Sequence, residues 1–342
     1  MKVVHQPDPN SINLVLEDGP LPTLTHAEDC LIRIYTASPC LGELHWEEKF
    51  PSLFEPGRER VPCTEAAGVI VQAPPQPDHD TTPNERVFKA GDEVFFRLQP
   101  AMTGNLREYS IARTSQMAHK PSSLSWVDAG ATPLSALTAW QGVFDQGLLD
   151  HRGVFGHAAA RESNARVSVL ITGAGGVVGS WAVQLAALAG AGAVVAYTGG
   201  SSADHVKRLG ATEVIDYQKS DLAEWVAQDP ERRSVDAVLD CVGGATLSSC
   251  WHVVKDAGVL ISVASDPGQN KPASMTKTLS ASKWFLVEPK GSQLALIATL
   301  MEQGKCMTKV DGVVEFEDFQ VAFDKVENKT AKGKVVIKVA KF

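Results

Sequence analysis

The sequence predicts an α/β protein in which a doubly wound parallel sheet is joined to a second, β-rich domain. Apolar runs VSVLIT (167–172), AVVAYT (193–198), EVIDY (213–217), VDAVLDCV (235–242) and GVLISVA (258–264) alternate with helical stretches around 180–190, 203–209, 220–228 and 245–255. Parallel strands covered by helices on both faces read this way. Residues 1 to about 120 hold shorter runs, CLIRIYT (30–36), AAGVIVQA (66–73), DEVFFRL (92–98) and REYSIA (107–112), cut by Pro, Gly and Asn, the pattern of a small antiparallel barrel or sandwich. A length of 342 residues fits two domains at ~150 residues each.

The remaining segments follow in order. PPQPDHDTTPNER (74–86) has four prolines between two strands and reads as an exposed insertion with no assigned function. From Trp126, WVDAGATPLSALTAWQGVF is a helix broken near Pro133, and HAAARESNAR (157–166) leads into the next strand. After about residue 285 come a helix (SQLALIATLMEQG), a strand (VVEFE), a helix (FQVAFDKVEN) and a last strand (KVVIKVA), which rejoin the first domain. The expected domains are therefore 1–125 with 285–342, and 126–284.

Composition excludes several classes of function. With 32 Lys+Arg against 40 Asp+Glu the net charge is -8, so no global field draws a phosphate backbone, and nucleic acid is not an expected partner. Six cysteines without a CxxC pair make neither a disulfide framework nor a zinc ribbon and fit a reducing compartment. No targeting segment is visible at either end, so the expected location is cytoplasmic. The uncharged run between Arg166 and Asp204 is longer than the ~20 residues of a membrane span. Eight glycines divide it into strand, turn, helix and strand, so no membrane partner is expected. GxSxG, HExxH and Walker motifs do not occur, which removes the common hydrolases and phosphoryl transferases.

Gly173, Gly176 and Gly179 lie three apart, directly after an apolar strand and before the helix through AVQLAALAG. Val178 breaks the strict GxGxxG spacing, but the physical task is the same: a tight turn, backbone close to a pyrophosphate, and a helix N-terminus aimed at its charge. Dinucleotide binding is expected, with plain tight helix–strand packing as the alternative. The second strand ends in Gly199-Gly200-Ser201-Ser202, and no acid follows until Asp204. An acid there would bond a ribose 2′-hydroxyl and repel a 2′-phosphate. Its absence, with hydroxyls and His205, Lys207 and Arg208 nearby, favours NADPH over NADH, unless Lys207 and Arg208 form only a solvated helix face.

The segments VPCTEAAGVIV, FKAGDEVF, LTAW, VLITGAGGVVGSWAVQLAALAGA, LGATEVIDY, VLDCVGG and GKVVIKV resemble, in order and spacing over nearly the whole chain, the medium-chain dehydrogenase/reductase superfamily. The resemblance is strongest to its zinc-free, quinone-oxidoreductase-like or enoyl-reductase-like branch. It implies a GroES-like substrate domain split around a Rossmann domain, with the active site in the cleft between them and homodimers possible through strand edges of the Rossmann domain. It assigns Thr138 to the nicotinamide approach, Gly173, Gly176, Val177, Val178 and Gly179 to the pyrophosphate loop, and Ser201, Ser202 and Tyr217 to the adenosine-phosphate pocket. Cys241, Val242, Ala264 and Phe285 would flank the nicotinamide half; Lys334 would supply a cation, or be a solvated strand-leading lysine.

On the substrate side it implies a wall formed by the loop from Cys40 to Trp46, Gly104 to Leu106, Thr132, Pro133 and Trp284. Glu43 is the candidate proton donor or ribose contact, and Trp46 its neighbour; the structural alternatives are a capping or salt-bridged Glu43 and a core-filling Trp46. Zinc-dependent members need three ligands. This chain has Thr64 and Ser135 at two of those positions, leaving Cys40, His45 and Glu65 as an alternative set. The expected function is an NADPH-dependent reductase that delivers hydride to the C=C bond of an α,β-unsaturated carbonyl, an enoyl group or a quinone, all small molecules, without zinc. The alternatives are a non-catalytic NADPH-binding or redox-sensing protein and a zinc-type alcohol dehydrogenase.

Overall fold

The computed structural model describes residues 1–75 and 88–341; most of the proline-rich insertion lies outside them. The chain divides into one unit of Met1–Leu137 with Glu288–Phe342 and a second of Thr138–Val287. The first boundary falls later in the chain than the sequence suggested, because helix Trp126–Gly130 packs on the first unit; the second falls after Val287. Thr36 Oγ1 donates to the Trp126 carbonyl at 2.8 Å and Ser38 Oγ to that of Gly130 at 3.0 Å. A Cβ at Gly130 would stand 2.3 Å from Thr36 Oγ1, so only glycine permits this approach.

The first unit begins with β1 (Lys2–His5), β2 (Val15–Asp18), β3 (Asp29–Ser38), β4 (Glu65–Gln72), β5 (Glu93–Arg97), β6 (Tyr109–Arg113) and β7 (Met117–His119). The second unit holds β8 (Ser168–Thr172), β9 (Ala193–Thr198), β10 (Glu213–Asp216), β11 (Val235–Asp240), β12 (Val254–Ser262) and β13 (Ala281–Trp284). The chain then returns to the first unit with β14 (Val310–Glu315) and β15 (Lys334–Lys338).

In the first unit β1 and β2 form a hairpin, and the main sheet runs β14-β15-β3-β4-β5-β7 with β6 also on β3. Its pairs are antiparallel except β14 with β15, which helix Phe319–Glu327 connects as a crossover. Alternate strand residues point inward, so Ile32, Ile34, Ile70, Phe96, Met117 and Ile337 form one buried cluster, which Phe323 of helix Phe319–Glu327 joins.

The second unit is a parallel sheet in the order β10-β9-β8-β11-β12-β13. β8 is the first strand in sequence and sits mid-sheet, with the chain winding outward to either side, so a switch point opens between β8 and β11, where such sheets bind ligands. Val169, Leu170 and Ile171 of β8 are fully buried. Among the described residues no helix is long and apolar enough to cross a membrane.

Asp240 ties the strand ends around that point. It is fully buried and accepts from Thr172 Oγ1 at 2.6 Å, Ser262 Oγ at 2.8 Å, Gly243 N–H at 3.0 Å and Val242 N–H at 3.2 Å. Three strands, β8, β11 and β12, thereby share one carboxylate. Asp240→Ala strands these donors without an acceptor and should cost about 3 kcal/mol. A denaturant midpoint equal to that of the unaltered protein would refute this role.

Candidate active site

In the second unit β8 runs into Gly173, held at φ 58°, and Gly176 caps the N-terminus of helix Val177–Ala189 without any side-chain bond to the first turn. The free N–H groups there favour an anion. A Cβ at Gly179 would lie 2.3 Å from the Gly173 carbonyl oxygen, and one at Gly176 3.1 Å from it. Gly175, outside the triplet singled out in the sequence, is as constrained: its Cβ would stand 2.6 Å from the Ser202 side chain. The loop is thus a bare-backbone cradle of the kind a pyrophosphate needs, and the residues fit a dinucleotide. Val177 and Val178 are half-buried at its helical end.

The other residues assigned to the cofactor lie beside this cradle or follow the ends of β9 to β13, save two. Ser202 lies on Gly175, and Thr198 Oγ1 accepts from the Gly175 N–H at 3.2 Å, latching the end of β9 to the loop. Ser201 is exposed beside it, as are Lys207 and Arg208 on the following helix. The Tyr217 ring is exposed and borders Gly199. Val242 and Cys241 pack beside Gly173, and the Ala264 methyl beside Gly243. Burial and the neighbouring Asp240 push the Cys241 thiol far above its usual range, so it is an inert wall. Phe285 follows β13, its N–H bonded to the Ser262 carbonyl at 3.2 Å. Thr138, the first residue of this unit, is buried in helix Pro133–Trp140.

Lys334 is the other exception. It opens β15 in the first unit, buried, with its ammonium paired to the Glu65 carboxylate and 3.5 Å from the Pro39 carbonyl. Burial works against its charge, but Glu65, Cys40 and Glu43 outweigh it and raise its pKa. It is neither a solvated lysine nor a spare cation for a phosphate. The second Glu65 oxygen accepts from the Leu134 N–H at 2.8 Å.

Glu43 and Trp46 come together at a small recess of about 20 Å³ in the first unit, also lined by Arg58, Arg60, Thr64 and Met102. The one-turn segment Glu43–His45 turns the Glu43 side chain inward. Its two oxygens accept from the Cys40 N–H at 2.9 Å and the Cys63 N–H at 3.0 Å. Burial pushes the Glu43 carboxyl up to about 7, against the pull of those two amides and of Lys334. It therefore exchanges a proton near neutral pH. Arg58 and Arg60 converge on Glu47, with Arg58 Nε and Arg60 Nη2 at 3.0 and 2.8 Å. Sequence reading missed both arginines, since nothing in their spacing marks a pocket wall.

Zinc does not fit the residues present. Among the described residues no group of three His, Cys, Asp or Glu is placed to hold a metal ion. Within the alternative set, Glu65 is engaged by Lys334 and Leu134, and His45 pairs with Glu48 at 3.3 Å. Burial pushes the Cys40 thiol up to about 12. Thr64, at the histidine position, has a buried hydroxyl without a partner.

A family model described as zinc-binding dehydrogenase matches residues 209–337. The chain is 41% identical over 334 residues to "Probable zinc-binding oxidoreductase, mitochondrial" of Arthroderma benhamiae, covering 97% of this chain and 95% of that one. It is 31% identical to quinone-oxidoreductase QR1, chloroplastic, of Triphysaria versicolor, over 81% of this chain and 79% of that protein. The solved structure of the quinone oxidoreductase from Coxiella burnetii shares the fold, with a TM-score of 0.76 at 20% identity over 99% of each chain. With its glycine cradle and its paired GroES-like and Rossmann folds, the chain belongs to the medium-chain dehydrogenase/reductase superfamily, as a nicotinamide-dependent oxidoreductase of the quinone-oxidoreductase-like branch.

Proposed function

We propose that the protein is an NADPH-dependent reductase of the C=C bond in α,β-unsaturated carbonyls, enoyl groups or quinones, working without zinc. The observation that carries this reading is Glu43: a buried carboxyl with a proton affinity near neutral, on a recess that Thr64 lines at the histidine position, while the nearby Glu65 is paired to Lys334. NADPH as the donor is supported by Ser201, Ser202 and Tyr217 around the turn after β9.

Without a Lewis acid the substrate must carry its own electron sink. A dinucleotide held by the Gly173–Gly179 loop would supply hydride for the β-carbon, and the substrate carbonyl would take up the C=C electron pair as an enolate. Glu43, protonated below about 7, gives its proton to the α-carbon and is recharged from solvent through the recess. Trp46 supplies an apolar face along the same wall. Atoms balance as one hydride and one proton added across the double bond.

With NADPH deuterated at C4, the label should appear on the β-carbon of the saturated product and solvent deuterium on the α-carbon. Label on a carbinol carbon would mean carbonyl reduction and overturn the assignment. No consumption of NADPH across enones, enoyl thioesters and quinones would point to a binding protein instead.

Glu43 makes a second prediction. As a proton donor it is lost as pH rises through about 7, so kcat/KM should fall over that range. Glu43→Gln should lower kcat by about 10²-fold, with a smaller change in KM, and abolish that limb. An unchanged profile would leave Glu43 only the task of holding the Cys40 and Cys63 amides.

A further inference from the structure

The turn after β9 holds no acid of its own, yet a carboxylate lies on it. β10 runs parallel beside β9 with Asp216 in register with Thr198, so the neighbouring strand delivers an acid to the same sheet edge. A Cβ at Gly200 would stand 2.6 Å from Asp216 Oδ2, and one at Gly199 3.3 Å from the Tyr217 ring. The two glycines thus press their backbone against an acid and an aromatic face, and a side chain at 200 would displace the carboxylate.

Asp216 keeps a fixed orientation and some access to solvent. Its Oδ1 accepts from the Gln218 N–H at 3.1 Å, and its side chain is 15% exposed. Its cationic partner is Lys219, at 3.6 Å and 81% exposed; an ion pair that open is screened by salt and weak. Of the turn's hydroxyls, Ser202 is lodged on Gly175 and Ser201 is exposed.

We propose that Asp216 sets nucleotide selectivity, accepting a hydrogen bond from the 2′-hydroxyl of a dinucleotide's adenosine ribose and repelling a 2′-phosphate. This rests on the reading that the second unit binds a nicotinamide dinucleotide. An ionised carboxylate can only accept hydrogen bonds, which suits a hydroxyl and opposes a phosphate dianion. The acid that selects the nucleotide thus comes from β10 in place of β9, the preference for NADPH is held down, and NADH is accepted as well.

Two probes that differ only in the 2′-phosphate, 5′-ADP and 2′,5′-ADP, test this by calorimetric titration of the full chain. Asp216→Asn keeps an oxygen for the Gln218 N–H and should raise affinity for 2′,5′-ADP by about tenfold relative to 5′-ADP. Lys219→Ala should move the ratio the other way, and Asp216→Ser should reproduce the asparagine result should that variant fold poorly. If the variants bind both probes at the ratio of the unaltered protein, Asp216 has no such role and the dinucleotide reading stands. If the unaltered protein binds neither probe, the dinucleotide reading falls and takes this inference with it.

Discussion

The buried ion pair between Glu65 and Lys334 is the constraint on which the first unit is organised. β4 and β15 flank β3 on opposite sides, and the pair joins the two flanking strands where one opens in Glu65 and the other in Lys334. Through its other oxygen Glu65 also takes the Leu134 N–H at the start of helix Pro133–Trp140. Removing one member of such a pair leaves an uncompensated buried charge, at a cost of roughly 3–5 kcal/mol. The same pair decides chemistry. A glutamate bound to a lysine is a poor metal ligand, and a lysine held by a glutamate is a poor phosphate clamp.

Two kinds of information differ in how far the sequence carries them. The strands of the second unit are near-continuous apolar runs because both faces are buried, and β8, β9 and β11 stand out for that reason. β13 was passed over: ASKW lies on the sheet edge, pairs on one side only, and so tolerates polar residues. The glycine loop was legible because the task of each glycine is local, a turn or a close approach within a few residues.

The misread residues depend on partners distant in sequence. Lys334 looks like any lysine leading a strand until Glu65 is set beside it. Glu43 was legible as a candidate by its place after Cys40, but its raised proton affinity comes from burial, and no spacing reports burial. Asp216 was hidden by a one-strand assumption: an acid was sought at the end of β9, whereas sheet register supplies one from β10. The domain boundary was misplaced for a like reason, since helix Trp126–Gly130 is held by hydroxyls of β3 that no local pattern announces.

The interrupted path of the first unit imposes an order on synthesis. Its strands β1 to β7 leave the ribosome first, but β14 and β15 follow only after all of Thr138–Val287. Until Lys334 emerges, Glu65 lacks the lysine it is paired with, and the side of β3 that β15 will cover is an open edge. The second unit is continuous in sequence and can complete its sheet while the first still waits. At about 5–20 residues per second, the nascent chain spends several seconds with one domain finished and an exposed strand edge on the other. During that interval it is most open to chaperones and to pairing with a neighbouring chain on the same message.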